Sequence, residues 1–160
     1  GRVTLQGKWV NSAPIQFEGI EASCYIKGAF DSLLAFEDGS YAVVDFKTSS
    51  PSPMHVAFYG RQLSAYAYAL EHPGEKGLSV APISRLGLLY LDPVDIEHGE
   101  DHKRITYGGE VTWREIPKDE NSFLEFMRGV LTLLSQPEPP PAAQSCGFCA
   151  YREEARRHGL

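Results

Sequence analysis

The sequence has little cysteine and no long hydrophobic run. Three cysteines among 160 residues are too few for a disulfide framework, so a cytoplasmic location is the default expectation. No apolar stretch approaches the roughly 20 residues of a membrane-spanning helix. No secretory signal, internal repeat or glycine-rich phosphate loop is visible either. These absences argue against a secreted, disulfide-rich or membrane-bound protein.

The sequence also lacks an excess of positive charge. Its formal net charge is −6 at pH 7, whereas proteins that bind nucleic acids usually present basic surface patches. The charge balance therefore counts against a nucleic-acid partner. Basic residues nevertheless cluster near the C-terminus, at Arg152, Arg156 and Arg157, and a bound metal ion would offset part of the acidic charge.

What is present is enough for one globular domain. Hydrophobic residues make up 42% of the chain, and 160 residues normally form a single domain with a substantial core. We therefore expect one domain over residues 1–160. Within it, residues 136–160 form a proline-rich connector and a tail that contains Cys146 and Cys149.

The most informative stretch predicts a β-hairpin that carries two carboxylates and a lysine. Asp31 lies on the first strand, and Asp45 and Lys47 lie on the second, Tyr41–Lys47. A two-residue turn would put the aspartates on opposite faces of the sheet, whereas a three-residue Glu-Asp-Gly loop would set them opposite each other. We predict the three-residue loop or an equivalent bulge, because such loops favour glycine at the last position, here Gly39.

Carboxylates on opposed residues are close enough to bind one cation. Opposed Cβ atoms lie roughly 4.5–5.5 Å apart, and such carboxylates repel each other unless a proton or cation intervenes. Hard oxygen ligands suit Mg²⁺ or Mn²⁺, and the backbone carbonyl of Phe46 is a further candidate ligand. Lys47 can then orient water or stabilise charge on a phosphate. The alternative is a surface hairpin with polar side chains on its wet face.

A helix is predicted after the hairpin. Ser52-Pro53 has the composition of a helix start, and the helix is expected to run to about Glu71. Gln62 and Tyr66 are four residues apart and share a face of this helix. Tyr66 can equally be part of the core packing of the helix.

Two strands and a second helix are predicted downstream. A buried strand over 83–91 is expected to end at Asp92-Pro93, and a further strand covers Ile105–Ile116. Ser122 and Glu125 form a capping box that begins the second helix. The segment between the strands is interpreted as a solvated loop rather than a metal site, because its ligand spacing is not distinctive. Its acidic residues are Asp95, Glu97, Glu100 and Asp101.

Together these motifs resemble the PD-(D/E)XK nuclease superfamily, in particular its RecB/AddB-like branch. That branch shows Gly-x-x-Asp, then a strand ending Val-Val-Asp-Tyr-Lys-Thr, then Gln-x-x-x-Tyr on the next helix. The present sequence has Gly28-Ala-Phe-Asp31, Val43-Val-Asp-Phe-Lys-Thr48 and Gln62-Leu-Ser-Ala-Tyr66. The resemblance runs from about residue 18 to residue 70 and returns near Cys146.

The resemblance implies a restriction-endonuclease-like α/β fold, with a central mixed β-sheet flanked by α-helices. It implies Mg²⁺- or Mn²⁺-dependent cleavage of DNA, as an exonuclease in recombination, repair, CRISPR or phage functions. DNA and a helicase or other recombination subunit would be its partners. By position, the implied residues are the metal ligands Asp31, Asp45 and Phe46 (backbone carbonyl), the catalytic Asp31, Asp45 and Lys47, and the substrate-binding Gln62 and Tyr66.

Two departures from the family pattern bear on activity. Members often have an upstream histidine or acidic residue that completes the site, whereas this chain has no histidine before His55 and only Glu18 as a poor substitute. Either the chain is a piece of a longer protein or its site is reduced. Some relatives also hold an iron–sulfur cluster on an upstream cysteine and a terminal Cys-x2-Cys-x5-Cys. Cys146 and Cys149 match that spacing, but Ala155 stands at the third position, so we expect a vestigial site without a cluster.

Two other functions stay open from the sequence. The first is a DNA-binding or scaffolding module of the same fold without turnover, which the missing upstream residue and the acidic charge favour. The second is an interaction domain stabilised by a metal on Cys146 and Cys149, with Cys24 and His158 as further ligands.

Overall fold

The fold is built on one mixed β-sheet in a computed structural model that describes residues 1–98, 103 and 105–159. Within those residues the sheet has five strands, which lie side by side in chain order. They are β1 (Arg2–Asn11), β2 (Lys27–Ala35), β3 (Tyr41–Lys47), β4 (Ile83–His98) and β5 (Ile105–Ile116). Neighbouring strands are antiparallel except β3 and β4, which are parallel.

Helices flank this sheet. In the described part of the chain they are α1 (Pro53–Glu71), α2 (Glu120–Leu134) and α3 (Gly147–Arg157). α1 connects β3 to β4 and contacts every strand, while α2 packs against α1. This architecture confirms the predicted restriction-endonuclease-like α/β fold. None of the described helices is long and apolar enough to cross a membrane.

The core lies between α1 and the central strands. Leu63 and Leu70 on α1 pack in one buried cluster with Val43 on β3 and with Leu86 and Leu88 on β4. Burying a side chain of this size contributes about 1.5–3 kcal/mol to stability. The core therefore fixes the position of β3, and with it the residues at its carboxyl end.

The start and end of α1 confirm the prediction from the sequence. The Ser52 side chain caps the helix by accepting a hydrogen bond from His55 N at 3.2 Å. Pro53 begins the helix, where its missing N–H has no intrahelical partner to lose. The helix ends at Glu71, and His72 N donates to the Tyr68 carbonyl.

The β2–β3 hairpin has the register predicted from the sequence. The last pair of its ladder is Ser32 with Val44. Continuing the same register by one residue puts Asp31 opposite Asp45. The odd-length connection is therefore confirmed, and the two aspartates belong to adjacent strands at the same level.

A three-residue loop, residues 37–39, makes this register possible. Phe36 N donates to the Ser40 carbonyl at 2.9 Å, which closes the hairpin around the loop. Gly39 has a φ of +83°, a conformation that residues with a Cβ rarely adopt. The Asp38 carboxylate accepts hydrogen bonds from Ser40 N and Ser40 Oγ at 2.9 and 2.7 Å, which stabilises the turn further.

β4 is longer than predicted, which corrects the placement of the acidic stretch. The sequence predicts a strand over 83–91 that ends at Asp92-Pro93, but β4 continues through them to His98. It continues because β5 pairs with it beyond the end of β3, with an irregularity after Pro93 that accommodates the missing N–H. Asp95 and Glu97 therefore lie on a strand rather than in a loop. Two other residues of the predicted loop, Glu100 and Asp101, lie outside the described residues.

Two further features differ from the sequence prediction. β1 is not among the predicted strands, although Val3, Leu5 and Trp9 alternate with polar residues along it; seven of its ten residues are exposed, and it forms an edge of the sheet. The predicted capping box is wrong: α2 begins at Glu120, and the Asp119 side chain accepts the hydrogen bond from Ser122 N at 2.9 Å. Aspartate is among the preferred N-cap residues, so the helix starts earlier than Ser122.

Candidate active site

Asp31 and Asp45 meet beside the end of the hairpin ladder. Asp31 Oδ2 accepts a hydrogen bond from Phe46 N at 2.8 Å, which ties β2 to the segment that follows Asp45. The two residues stand at the same level on adjacent strands, and the negative charge of Asp31 adds to the rise that burial causes in the pKa of the Asp45 carboxyl. The structure thus brings together the two carboxylates that the sequence predicted to cooperate.

Asp45 is buried, and Lys47 is its charge partner. Asp45 is 4% exposed, and its Oδ2 forms an ion pair with Lys47 Nζ. The same oxygen makes no well-directed hydrogen bond within the described residues. Burial raises the pKa of the Asp45 carboxyl, Lys47 lowers it in part, and Asp31 adds to the rise. Lys47 therefore balances only part of the cost of burying a negative charge on Asp45.

These groups fit a hard divalent cation. A close pair of carboxylates, one of them buried with an oxygen short of well-directed donors, supplies the ligand type that Mg²⁺ and Mn²⁺ prefer. Mg²⁺ usually keeps several waters, so few protein ligands are needed. Within the described residues, no group of three or more His, Cys, Asp or Glu side chains is placed to hold a metal. Glu18 lies in an exposed turn between β1 and β2.

Lys47 stands between the carboxylates and α1. Its Nζ lies 3.9 Å from the centroid of the Tyr59 ring, within the range of a cation–π interaction. Tyr90 on β4 is in register with Lys47, is fully buried, and has a hydroxyl without a hydrogen-bond partner among the described residues. Burial raises the pKa of Tyr90, so it remains a neutral phenol.

The side chains of Gln62 and Tyr66 form a hydrogen bond with each other on one face of α1. Gln62 Nε2 donates to Tyr66 Oη at 2.9 Å, and Tyr66 is 9% exposed and belongs to the core. A Cβ at Gly28 would lie 2.9 Å from Tyr66 Cε1. The Gly-x-x-Asp and Gln-x-x-x-Tyr motifs are therefore in direct contact, and this contact fixes β2 three residues before Asp31. Substrate binding by Gln62 and Tyr66 stays a prediction.

The C-terminal cysteines lie at the start of α3, away from the carboxylates. The Cys146 side chain caps the helix by accepting a hydrogen bond from Cys149 N, and the two sulfur atoms are 2.9 Å apart. Ala155 lies on the same helix, and His158 lies at its opposite end. Neither Cys24 nor His158 joins the pair in a metal-binding group within the described residues.

Tyr90 is the neighbour of the site that the sequence does not single out. Tyr59 stands three residues before Gln62 on α1, and this spacing predicts that it shares a helix face with Gln62 and Tyr66. Tyr90 stands in an apolar run, and its pairing with Lys47 depends on the parallel register of β3 and β4. No pattern in the sequence sets that register, so Tyr90 could not be found from it.

The mixed sheet and the hairpin with its paired carboxylates define a protein with a restriction-endonuclease-like nuclease fold. The model of the PD-(D/E)XK nuclease superfamily matches residues 4–153. The chain therefore belongs to the PD-(D/E)XK nuclease superfamily, whose members generally use divalent metal ions. This confirms the superfamily predicted from the sequence.

A solved structure described as the crystal structure of SSO0001 is similar to this chain. The two are 18% identical, with a TM-score of 0.49, over 90% of this chain and 57% of that chain. The chain thus spans little more than half the length of that protein. Among curated proteins, none matches this chain.

Proposed function

We propose that this chain is a metal-dependent deoxyribonuclease of the RecB/AddB-like branch, an exonuclease that acts in recombination, repair, CRISPR or phage functions. The observation that carries the proposal is the cluster of Asp31, buried Asp45 and Lys47 on one hairpin. Membership of the superfamily supports the same conclusion.

Each residue of the cluster has a role in the proposed hydrolysis. Asp31, Asp45 and the Phe46 carbonyl would hold Mg²⁺ or Mn²⁺, and the bound ion would supply positive charge to activate water and stabilise the scissile phosphate. Lys47 neutralises charge that develops on the phosphate. Gln62 binds the DNA strand, and the buried Tyr66 fixes Gln62 through their hydrogen bond.

The acidic charge of the chain is compatible with this function if a partner delivers the DNA. A net charge of −6 gives little long-range attraction for a polyanion. A helicase or other recombination subunit that holds the DNA would supply that attraction. We therefore propose that residues 1–160 form one nuclease domain that acts together with such a subunit.

The test is a cleavage assay on linear and circular DNA, single- and double-stranded, in Mg²⁺, Mn²⁺ and EDTA. We expect metal-dependent cleavage of linear DNA that falls about a hundredfold or more in Asp45→Asn and in Lys47→Met. Glu37→Gln in the hairpin loop is the matched control, since Glu37 is exposed and lies at the opposite end of the strands. Metal-dependent cleavage that survives in Asp45→Asn would contradict the assignment.

A second candidate function is a DNA-binding or scaffolding module of the same fold without turnover. The observation that favours it is that no third acidic residue joins Asp31 and Asp45 within the described residues. DNA binding without cleavage in both Mg²⁺ and Mn²⁺, by a folded protein, would support this function over the first.

A further inference from the structure

We propose that Tyr59 is a positioning residue for Lys47, whose ammonium group it holds beside the paired carboxylates with the face of its ring. The inference rests on the proposed function, because it assigns a role within the same site. Lys47 Nζ lies 3.9 Å from the Tyr59 ring centroid, well inside the roughly 6 Å over which a cation is attracted to an aromatic face. Tyr59 thus contacts the lysine from α1, an element that carries neither aspartate.

The position of Lys47 explains why it needs this contact. Lys47 is the last residue of β3, and a lysine side chain is a flexible four-carbon stem with a strongly hydrated charge. Besides the Tyr59 ring, its Nζ contacts Asp45 Oδ2 in an ion pair. That oxygen belongs to a proposed metal ligand. A cation on Asp45 would compete for that oxygen and repel the ammonium group. The ring of Tyr59 is then the contact that persists.

Two aromatic rings of α1 contact the ring of Tyr59. The Phe58 ring meets it edge-on, with centroids 5.5 Å apart and an interplanar angle of 75°. The His55 ring lies 6.0 Å from it at 55° on the preceding turn of α1. Because α1 is anchored to the sheet through the core, the ring face keeps its position relative to β3.

The first measurement needs no activity. Dimethylation with ¹³C-labelled reagent preserves the charge of a lysine, and a methyl group above an aromatic ring gives a displaced NMR signal. In metal-free protein we expect a displaced Lys47 signal in the wild type and in Tyr59→Phe. In Tyr59→Leu the signal should return to the position of exposed lysines. A Lys47 signal, assigned with Lys47→Arg, that is undisplaced in the wild type would overturn the inference.

The second measurement separates the ring from the hydroxyl by kinetics. We expect Tyr59→Leu to lower kcat about tenfold with little change in KM, and Tyr59→Phe to stay within about twofold of the wild type. Tyr68→Leu is the matched control: Tyr68 lies on the same helix, and its ring contacts His72 and Phe123 rather than Lys47. It should also stay within about twofold.

Several outcomes would overturn the inference. A folded Tyr59→Leu variant with the kcat of the wild type would do so, and so would equal losses in the leucine and phenylalanine variants, which would assign the role to the hydroxyl. If thermal unfolding shows that Tyr59→Leu does not fold, the NMR signal of the wild type and of Tyr59→Phe still decides about the contact. A wild type that shows the displaced signal yet cleaves no DNA would refute the proposed function, and with it the positioning role of Tyr59 in catalysis.

Discussion

At the scale of single residues, Asp45 links the candidate site to the stability of the fold. Its carboxyl is buried, and its pKa is raised above the ordinary value of 3.8. A carboxyl whose pKa is higher in the folded than in the unfolded state binds more protons when folded. The stability it contributes is therefore present at low pH and is lost as the pH rises through the raised pKa.

This loss of stability with rising pH leads to a prediction for the metal-free protein. In EDTA we expect the free energy of unfolding of the wild type, relative to Asp45→Asn, to fall as the pH rises above 3.8. Denaturant titrations over a pH series measure this effect. Parallel pH profiles for the two proteins would refute it.

A second prediction concerns the metal. Adding Mn²⁺ at neutral pH should raise the unfolding midpoint of the wild type, because a ligand that binds the folded state stabilises it. It should not raise the unfolding midpoint of Asp45→Asn.

The sequence revealed the site residues whose placement depends on local structure. Asp31, Asp45 and Lys47 share one hairpin, so the loop length and the position of Gly39 were enough to predict that they meet. Tyr59 contacts Lys47 only because α1 folds back over the sheet. Such a contact depends on tertiary packing, which the pattern of residues does not specify.

At the scale of elements, the contact between β2 and α1 explains the glycine of the Gly-x-x-Asp motif. A Cβ at Gly28 would meet the Tyr66 ring at 2.9 Å, and overpacking of this kind costs about 1–3 kcal/mol. We expect Gly28→Ala to lower the free energy of unfolding by that amount. It should also displace the strand that carries Asp31, and so weaken metal binding.

Gly129→Ala is the matched control for this prediction. Gly129 lies on α2 with nothing within 4 Å of an added Cβ. Replacing a helical glycine with alanine stabilises by up to about 1 kcal/mol, so the two substitutions should have opposite signs. Urea denaturation of both variants measures the difference. Equal effects would show that the contact with Tyr66 is not the reason why residue 28 is a glycine.

A helix or strand could be predicted where its own sequence contains an apolar pattern, a cap or a turn that marks its bounds. β3, α1 and β5 begin and end where the pattern of apolar residues and caps placed them. β4 runs further than predicted because its second half is held by pairing with β5, which outweighs the proline at Pro93. β1 is missing from the prediction even though Val3, Leu5 and Trp9 alternate with polar residues, the pattern typical of a half-buried strand.

At the scale of the whole molecule, the fold class followed from the order of the motifs rather than from their composition. The hairpin, the crossover helix α1 and the parallel pairing of β3 with β4 form the frame that positions Asp45. The net charge of −6, by contrast, argued against a nucleic-acid partner. Charge reports on association and not on fold, which is why the motifs gave the better prediction of the superfamily.

The tail that carries Cys146 and Cys149 is separable from this frame. α3 buries none of its residues, and within the described part of the chain it contacts no other helix or strand. Because Ala155 stands at the third cysteine position, we predict that no iron–sulfur cluster joins the tail to the domain.

We therefore expect a chain that ends after Ser135 to unfold within about 2 °C of the midpoint of residues 1–160, because no buried apolar surface is lost with α3. Iron and zinc measured in the intact purified protein should be far below one equivalent. The Cys146→Ser variant should have the same midpoint as the wild type. Stoichiometric metal, together with a lower midpoint in both the shortened chain and Cys146→Ser, would instead show that a metal holds the tail to the domain.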